Sequence, residues 1–276
     1  MRMKAEILSI GLAVVASAMS LADDASAVLV GRKSGETCTV TLPGGAKMEM
    51  IWCAPGSFKM GSPPGEPGRF SSETLHSVTL TKGFWLGKYE VTQAQWESVM
   101  RSNHSRFKHR ENPVETVSWY DCAAFIKRVS ASFGGKARLP SEAEWEYACR
   151  AGSSTPFAGS GVASEMAWYD ENSEFQTHEV GRNKPNAWGF YDMHGNVLEW
   201  CSDWFSEQKS DAVDPKGPPS GAFKVLRGGC WFFLDRDCRS AYRLKREPSL
   251  RNCIFGFRVA CFDSDAMSST SPVQKK

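Results

Sequence analysis

Alternating polar and apolar residues mark the first regular structure of the chain. Residues 38–52, CTVTLPGGAKMEMIW, alternate around a Gly-Gly turn. This pattern predicts a β-hairpin, because successive side chains of a strand face opposite sides. Residues 76–92, HSVTLTKGFWLGKYEVT, predict two more short strands, one on each side of Lys82-Gly83.

Three helices are predicted further along, each preceded by a residue that can cap it. The caps, each with a partner in the first turn, are Thr92 with Gln95, Ser118 with Asp121, and Ser141 with Glu144. Such pairs satisfy N–H groups that the first helical turn leaves free. The cap patterns explain most of these residues structurally, so the helices are assigned scaffold roles.

The segment 186–204, NAWGFYDMHGNVLEWCSDW, combines aromatic residues with turn formers and oxygen acceptors. Asp192, Glu199 and the carbonyls near Gly195 and Val197 lie within eight residues of one another. Oxygen ligands crowded onto a turn suit Ca²⁺, which takes about six to eight of them. The alternative is a hydrogen-bonded loop over an aromatic core, since short Asp/Asn/Gly clusters are usually plain turns.

Both ends of the chain differ in character from its middle. Residues 1–27 have a positive start, an apolar stretch and small residues for cleavage, which predicts a secretory signal and a periplasmic or secreted mature chain. An uncut membrane anchor is the alternative. No later apolar run is long enough to span a membrane. Residues 28–45 are an expected lead-in, and the polar tail 262–276 is expected to be disordered.

Charge and cysteine content narrow the classes of function. The net charge is +2 and no basic stripe stands out, which argues against a nucleic-acid partner. Nine cysteines in an exported chain make disulfides plausible, and the odd number leaves at least one thiol over or paired between molecules. Their connectivity cannot be read from the sequence.

Several motifs follow one another in the order of a known family. They are MIWCAPGSFKMGS (50–62), FWLGKYEVTQAQWESVM (84–100), PVETVSW (113–119), RLPSEAEWEYACRAG (138–152), GFYDMHGNVLEW (189–200) and VLRGGCW…CRSAYR…GFRVA (225–260). Over residues 46–261 the chain resembles the formylglycine-generating enzymes, also called sulfatase-modifying factors. The resemblance implies an α+β fold in a single domain, a C-type lectin fold variant with much irregular structure.

The resemblance also implies metal ligands and a disulfide. One family calcium site matches Asp192, Gly195, Val197 and Glu199. A second begins at Asn172 and the Ser173 carbonyl, but the chain is shorter where its other ligands would lie. A family disulfide matches Cys149, with a partner near CRSAYR, where Cys238 stands.

Catalysis in the resembling enzymes converts a sulfatase cysteine to formylglycine with O₂ and copper(I), which two thiolates five residues apart hold. Soft thiolates are the ligands that copper(I) selects. Here Phe233 occupies the first thiolate position and Cys238 the second. Cys230 and Cys238 are an alternative copper pair, but they are eight residues apart and nothing in the sequence places them on one face.

The same C-terminal segment also resembles variable regions diversified by a retroelement that mutates adenines. Related domains carry asparagine runs where this chain has ten other residues: Phe232, Phe233, Leu234, Asp237, Leu244, Arg246, Leu250, Cys253, Ile254 and Phe255. Each is reachable from an AAC codon, or ATC for Phe255, by changing adenines alone, whereas Lys245 and Glu247 do not fit. A neighbouring reverse-transcriptase gene, with a repeat carrying AAC codons, would establish this origin.

These residues predict a ligand-binding face, since exposed apolar residues on an exported protein usually mark a binding site. The predicted face adds Trp231, Asp235, Arg236 and Asn252 to the ten positions. The alternative for Ile254 and Phe255 is burial beneath the last strands. Two functions stay open: a non-catalytic module that binds a protein or peptide, and a copper-dependent formylglycine-generating oxidase.

Overall fold

The structure is a computed structural model that describes residues 32–207 and 210–263. The predicted signal 1–27 and residues 264–276 of the predicted tail 262–276 lie outside the described residues, whereas Phe262 ends a β-strand and is therefore not disordered. The described residues from Lys33 onward form one unit. No helix within these ranges is long and apolar enough to cross a membrane.

The described residues contain fourteen short strands. In chain order they are β1 (Thr37–Thr41), β2 (Lys47–Cys53), β3 (Gly56–Met60), β4 (His76–Leu80), β5 (Phe84–Gly87), β6 (Ala137–Arg138), β7 (Ala167–Trp168), β8 (His194–Gly195), β9 (Leu198–Trp204), β10 (Ala212–Val213), β11 (Lys224–Arg227), β12 (Arg243–Arg246), β13 (Phe255–Gly256) and β14 (Ala260–Phe262). The α-helices are α1 (Gln93–Met100), α2 (Trp119–Val129), α3 (Glu142–Arg150) and α4 (Ala163–Met166), with 3₁₀ turns at Ser130–Phe133 and Asp235–Cys238. The α+β fold with much irregular structure is therefore confirmed.

The predicted hairpin forms as β1 and β2, which pair antiparallel with Thr37 opposite Ile51 and Thr41 opposite Lys47. Both strands belong to a five-stranded sheet with the order β1-β2-β5-β14-β6. The expected lead-in 28–45 therefore contains a strand of the main sheet. The C-terminal strand β14 belongs to the same sheet, because it pairs with both β5 and β6.

The two strands predicted around Lys82-Gly83 both form, but they do not pair with each other. β4 joins a three-stranded sheet of order β10-β4-β3, whereas β5 joins the five-stranded sheet. Gly83 packs closely against Trp52, since a Cβ at this glycine would lie 2.2 Å from the indole ring. The glycine therefore allows a close crossing between sheets and does not close a hairpin.

All three predicted helix caps are confirmed. Thr92, Ser118 and Ser141 each accept a hydrogen bond from a backbone N–H three residues on, and each belongs to a complete capping box. Helices α1 and α2 pack against each other through stacked rings of Trp96 and Phe125, 5.4 Å apart. These caps and packed rings fix the helices as scaffold.

The third sheet carries the C-terminal loops. Its strand order is β12-β11-β9-β13, so the segment 228–242 joins the neighbouring strands β11 and β12, and 247–254 runs from β12 to β13. Leu198, Trp200 and Leu226 of this sheet lie in the larger hydrophobic core. The two loops are thus carried by a buried and rigid platform.

Buried arginines fasten distant segments to this platform. Arg239 donates to Glu66 at 2.6 Å and to Glu73 at 2.7 Å, and all three side chains are almost fully buried. These pairs hold the Pro/Gly/Ser loop 62–73 against the C-terminal segment. Arg243 of β12 likewise forms a buried ion pair with Glu142 of α3.

We predict that Arg239→Met lowers the free energy of unfolding by about 3–5 kcal/mol, because it leaves two buried carboxylates without a compensating charge. Urea denaturation followed by tryptophan fluorescence measures the loss. The matched control is Lys245→Met, since Lys245 pairs with Glu207 at the surface and such pairs contribute about 1 kcal/mol or less. Equal losses in the two variants would contradict the structural role of Arg239.

Candidate ligand-binding face

The loop 228–242 begins at a tight glycine turn. Gly228 and Gly229 have φ angles of 101° and 75°, which favour glycine. A Cβ on Gly229 would lie 2.4 Å from the Cys238 Sγ atom. The loop therefore folds back directly over its own start, and a side chain at Gly229 would open it.

Trp231 fastens the loop from inside. Its backbone N–H donates to the Asn196 carbonyl at 2.9 Å, and its Nε1 donates to the Cys253 carbonyl at 3.1 Å. The Ser173 hydroxyl donates to the Trp231 carbonyl at 2.6 Å. With 6% of its surface exposed, Trp231 is a buried anchor, which corrects its assignment to the binding face.

The next three residues alternate between outside and inside. Phe232 is 56% exposed and Leu234 is 44% exposed, whereas Phe233 packs against the core near the Tyr242 ring. Phe175, which the sequence analysis missed, is 63% exposed, with its ring centroid 6.4 Å from that of Phe232. We call Phe175, Phe232 and Leu234 the apolar ridge. An aromatic residue inside the polar run 170–179 was the signal that could have found Phe175.

The other predicted face residues divide by burial. Those exposed are Asp235, Arg236, Leu250 and Asn252; those half-buried are Asp237, Leu244, Arg246, Cys253 and Ile254. Phe255 is 1% exposed and packs its ring 5.3 Å from that of Trp200. The assignment of Phe255 to the face is therefore wrong, because its strand pairs with β9 inside the core.

The copper positions of the resembling enzymes do not fit copper here. Phe233 stands at the first position, and its ring offers no donor atom. Cys238 and the alternative ligand Cys230 are both buried, and burial raises the pKa of each thiol well above its usual value. At Phe233 the first of the two thiolate positions that hold copper(I) in the resembling enzymes therefore has no donor.

The bridge expected between Cys149 and Cys238 is not formed, since both residues are free thiols in the structure. The His194 ring contacts both residues: Nε2 accepts from the Ala158 N–H and lies 3.7 Å from the Cys149 Sγ atom, while Nδ1 bonds the Cys238 carbonyl at 2.7 Å. Burial lowers the pKa of His194 to about 4. A neutral imidazole thus stands beside both cysteines.

The predicted calcium ligands lie in a buried charged cluster. Glu199 accepts from the Arg258 guanidinium at 2.6 Å and from the Trp145 Nε1 at 2.8 Å. Asp192 Oδ2 accepts from the Gly181 N–H, whereas Asp192 Oδ1 is buried without a hydrogen-bond partner. The unpartnered Oδ1 of Asp192 is a suitable cation ligand, although the Glu199 carboxylate already forms an ion pair with Arg258.

The backbone ligands of that site lie close by in the chain. Gly195 pairs with Trp168 in the two-stranded sheet of β7 and β8, and the Val197 N–H donates to Glu90. No group of three or more His, Cys, Asp or Glu side chains in residues 32–207 and 210–263 could hold a metal ion. Any cation here would therefore depend on backbone carbonyls as well.

The residues expected at the second calcium site, Asn172 and Ser173, form hydrogen bonds within the protein. Asn172 Oδ1 accepts from the Tyr169 N–H and its Nδ2 donates to the Ala167 carbonyl. The Ser173 carbonyl bonds the His178 ring at 2.7 Å. These atoms shape the loop that carries Phe175, and they do not fit a metal site.

Comparison with curated proteins places the chain among several relatives. The serine/threonine-protein kinase Pkn1 of Chlamydia trachomatis is 34% identical over 243 residues, which cover 77% of this chain and 38% of the kinase. The formylglycine-generating enzyme of Streptomyces coelicolor is 32% identical over 255 residues, which cover 82% of this chain and 70% of the enzyme. The chain thus spans less than half the length of the kinase.

Solved structures with similar folds include two bacterial proteins. Variable protein 1 of Treponema denticola has a TM-score of 0.76 and 31% identity, covering 84% of this chain and 100% of its own. PvdO from Pseudomonas aeruginosa has a TM-score of 0.74 and 29% identity, with the same coverage. The model of the sulfatase-modifying factor enzyme 1-like domain matches residues 39–262. The chain therefore belongs to the sulfatase-modifying factor enzyme 1-like family.

Proposed function

We propose that this chain is an exported, non-catalytic module that binds a protein or peptide through its C-terminal loops. One observation carries the proposal: the loop 228–242 is fastened by Trp231 yet exposes Phe232 and Leu234. Large apolar side chains held rigidly at a surface bind partners at low entropic cost. The proposed location is periplasmic or secreted.

Two further facts support this proposal. Three exposed residues of these loops, Phe232, Leu234 and Leu250, are each reachable from an asparagine AAC codon by changing adenines alone, as in the variable regions of retroelement-diversified proteins. A solved structure at 31% identity belongs to a protein named as variable. Residues that fasten the loop, such as Trp231 and Arg239, lie outside that codon pattern, so the surface can change while the fold stays.

We predict that a double variant, Phe232→Ser with Leu234→Ser, weakens peptide binding at least tenfold, because the apolar ridge loses its anchors. The full chain, immobilised, selects binders from a phage-displayed random peptide library, and fluorescence anisotropy measures their affinities for wild type and variant. The control is Phe223→Ser, a similarly exposed phenylalanine away from the loop. Absence of enriched peptides, or equal affinities, would reject the proposal.

A second candidate is the copper-dependent formylglycine-generating oxidase, favoured by 32% identity with the Streptomyces enzyme. Phe233 argues against it, since a phenyl ring cannot ligate copper(I). We predict that copper(I) titration shows no stoichiometric binding dependent on Cys230 and Cys238, and that a CxPxR peptide is not converted in the presence of O₂. Tight binding lost in Cys238→Ser, with conversion of the peptide, would establish the oxidase instead.

We also propose that Ca²⁺ binds at Asp192, with Glu199 and the carbonyls of Gly195 and Val197. Burial raises the pKa of Asp192 to about 6 and that of Glu90 well above its usual range. Arg258 is the guanidinium facing these carboxylates. A divalent cation would supply the positive charge that this buried cluster lacks.

We predict that millimolar Ca²⁺ raises the Tm of wild type and leaves that of Asp192→Asn unchanged. In chelator, the variant is more stable than wild type at neutral pH by about 3 kcal/mol, because it has no buried carboxylate to ionise. Because the pKa of Asp192 is higher in the folded protein than in the unfolded chain, protonation of this carboxyl group stabilises the fold, and the full effect is present below pH 3.8. This stabilisation is lost as the pH rises through about 6. Thermal melts across this range measure both effects. Asp211→Asn at the surface is the control, and an unshifted wild type would exclude the ion.

A further inference from the structure

A cleft of about 770 Å³ opens beside the apolar ridge. Its walls include Arg106, Lys108, Arg182 and Glu179, and its aromatic residues include Trp168 and Phe107. The Trp168 ring stacks on that of His178, with centroids 3.9 Å apart and planes 17° from parallel. A flat aromatic wall with cationic rims is suited to an elongated anionic ligand.

The positive charge of the cleft is not cancelled from within. Glu179 is the carboxylate among the lining residues, and Arg182 and His109 hold it, with His109 Nε2 at 3.4 Å. Arg106 and Lys108 are exposed. Lys108 Nζ donates to the Asn103 carbonyl at 2.8 Å and the Arg106 guanidinium lies 5.2 Å from the Phe107 ring centroid, so within the described residues these contacts are not with carboxylates. Their charges are therefore available to a ligand.

The wall of the cleft is built rather than loose. Asn112 Nδ2 donates to both the carbonyl and the hydroxyl of Thr177 at 3.0 Å. The His178 ring bonds the Ser173 carbonyl, and its backbone N–H donates to Asn196 Oδ1 at 3.0 Å. In the described chain the Trp168 Nε1 atom is buried and has no hydrogen-bond acceptor. Hydrogen bonds of its lining residues thus give the cleft a fixed shape.

Contacts between rings join the cleft to the apolar ridge. Phe107 lines the cleft, and its ring centroid lies 5.2 Å from that of Trp231, which in turn lies 5.4 Å from that of Phe232. On the other wall, Gln176 lines the cleft directly after Phe175 of the ridge. One ligand can therefore contact both surfaces at once.

We infer that the ligand is an acidic peptide, with carboxylates in the cleft beside Arg106 and Lys108 and an apolar side chain on the ridge. The inference rests on the proposed function and names the chemistry of its partner. Guanidinium and ammonium groups pair with carboxylates, whereas Phe232 and Phe175 gain free energy by losing water. A sulfated polysaccharide would satisfy the charges but has no apolar side chain for the ridge.

The peptides selected on the full chain supply the test. We expect the enriched peptides to carry net negative charge and at least one large apolar residue. Their affinity falls about tenfold in the double variant Arg106→Gln with Lys108→Gln and falls with added salt, because both charges are solvent-exposed. The matched control is Lys82→Gln with Lys216→Gln, which removes the same charge elsewhere and leaves the affinity unchanged. Thermal melts confirm that both double variants fold.

The outcomes separate this inference from the proposed function. The inference is overturned if the peptides whose affinity depends on Phe232 are neutral or basic, or if their affinity is unchanged in the Arg106 and Lys108 double variant. Either result leaves the proposed function standing. Dextran sulfate that binds through Arg106 and Lys108 more tightly than any selected peptide, independently of Phe232, overturns the peptide assignment. Acidic peptides that depend on both surfaces support it.

Discussion

Burial of guanidinium groups is the constraint on which the rest of the structure depends. Arg227, Arg239 and Arg258 are almost fully buried, and each is held by carboxylates far away in the chain. A buried charge is tolerated only when it is paired and hydrogen-bonded. Each arginine therefore dictates where two distant segments meet, and a fold with short strands and long loops acquires a fixed geometry.

This framework explains how a surface can carry apolar residues without collapsing. The platform strands and the Gly228-Gly229 turn set the path of the loop, and Trp231 is bonded to three other segments. Phe232 and Leu234, between these fixed points, are largely exposed. Phe232 and Leu234 can therefore face water, and their identity is free to serve recognition.

For copper chemistry at this site, the positions of the cysteines matter more than their number. The chain contains nine cysteines, yet Phe233 stands where a copper thiolate would have to be. The thiols of Cys230 and Cys238 are buried, which keeps them protonated. By contrast, the apolar ridge and the cationic cleft lie side by side, so one surface combines desolvation with charge.

Local patterns in the sequence determined helices α1, α2 and α3, their caps and the β1–β2 hairpin, because the hydrogen bonds involved join residues close in the chain. The motifs likewise indicated the family and its α+β fold. Only the tertiary structure decided which sheet each strand joins, since β4 and β5 separate around Gly83. Trp231 and Phe255 are buried only in the tertiary structure, and Phe175 lies beside Phe232 there. The tertiary structure also brings His194 into contact with both Cys149 and Cys238. These outcomes depend on contacts between distant segments, which no local periodicity encodes.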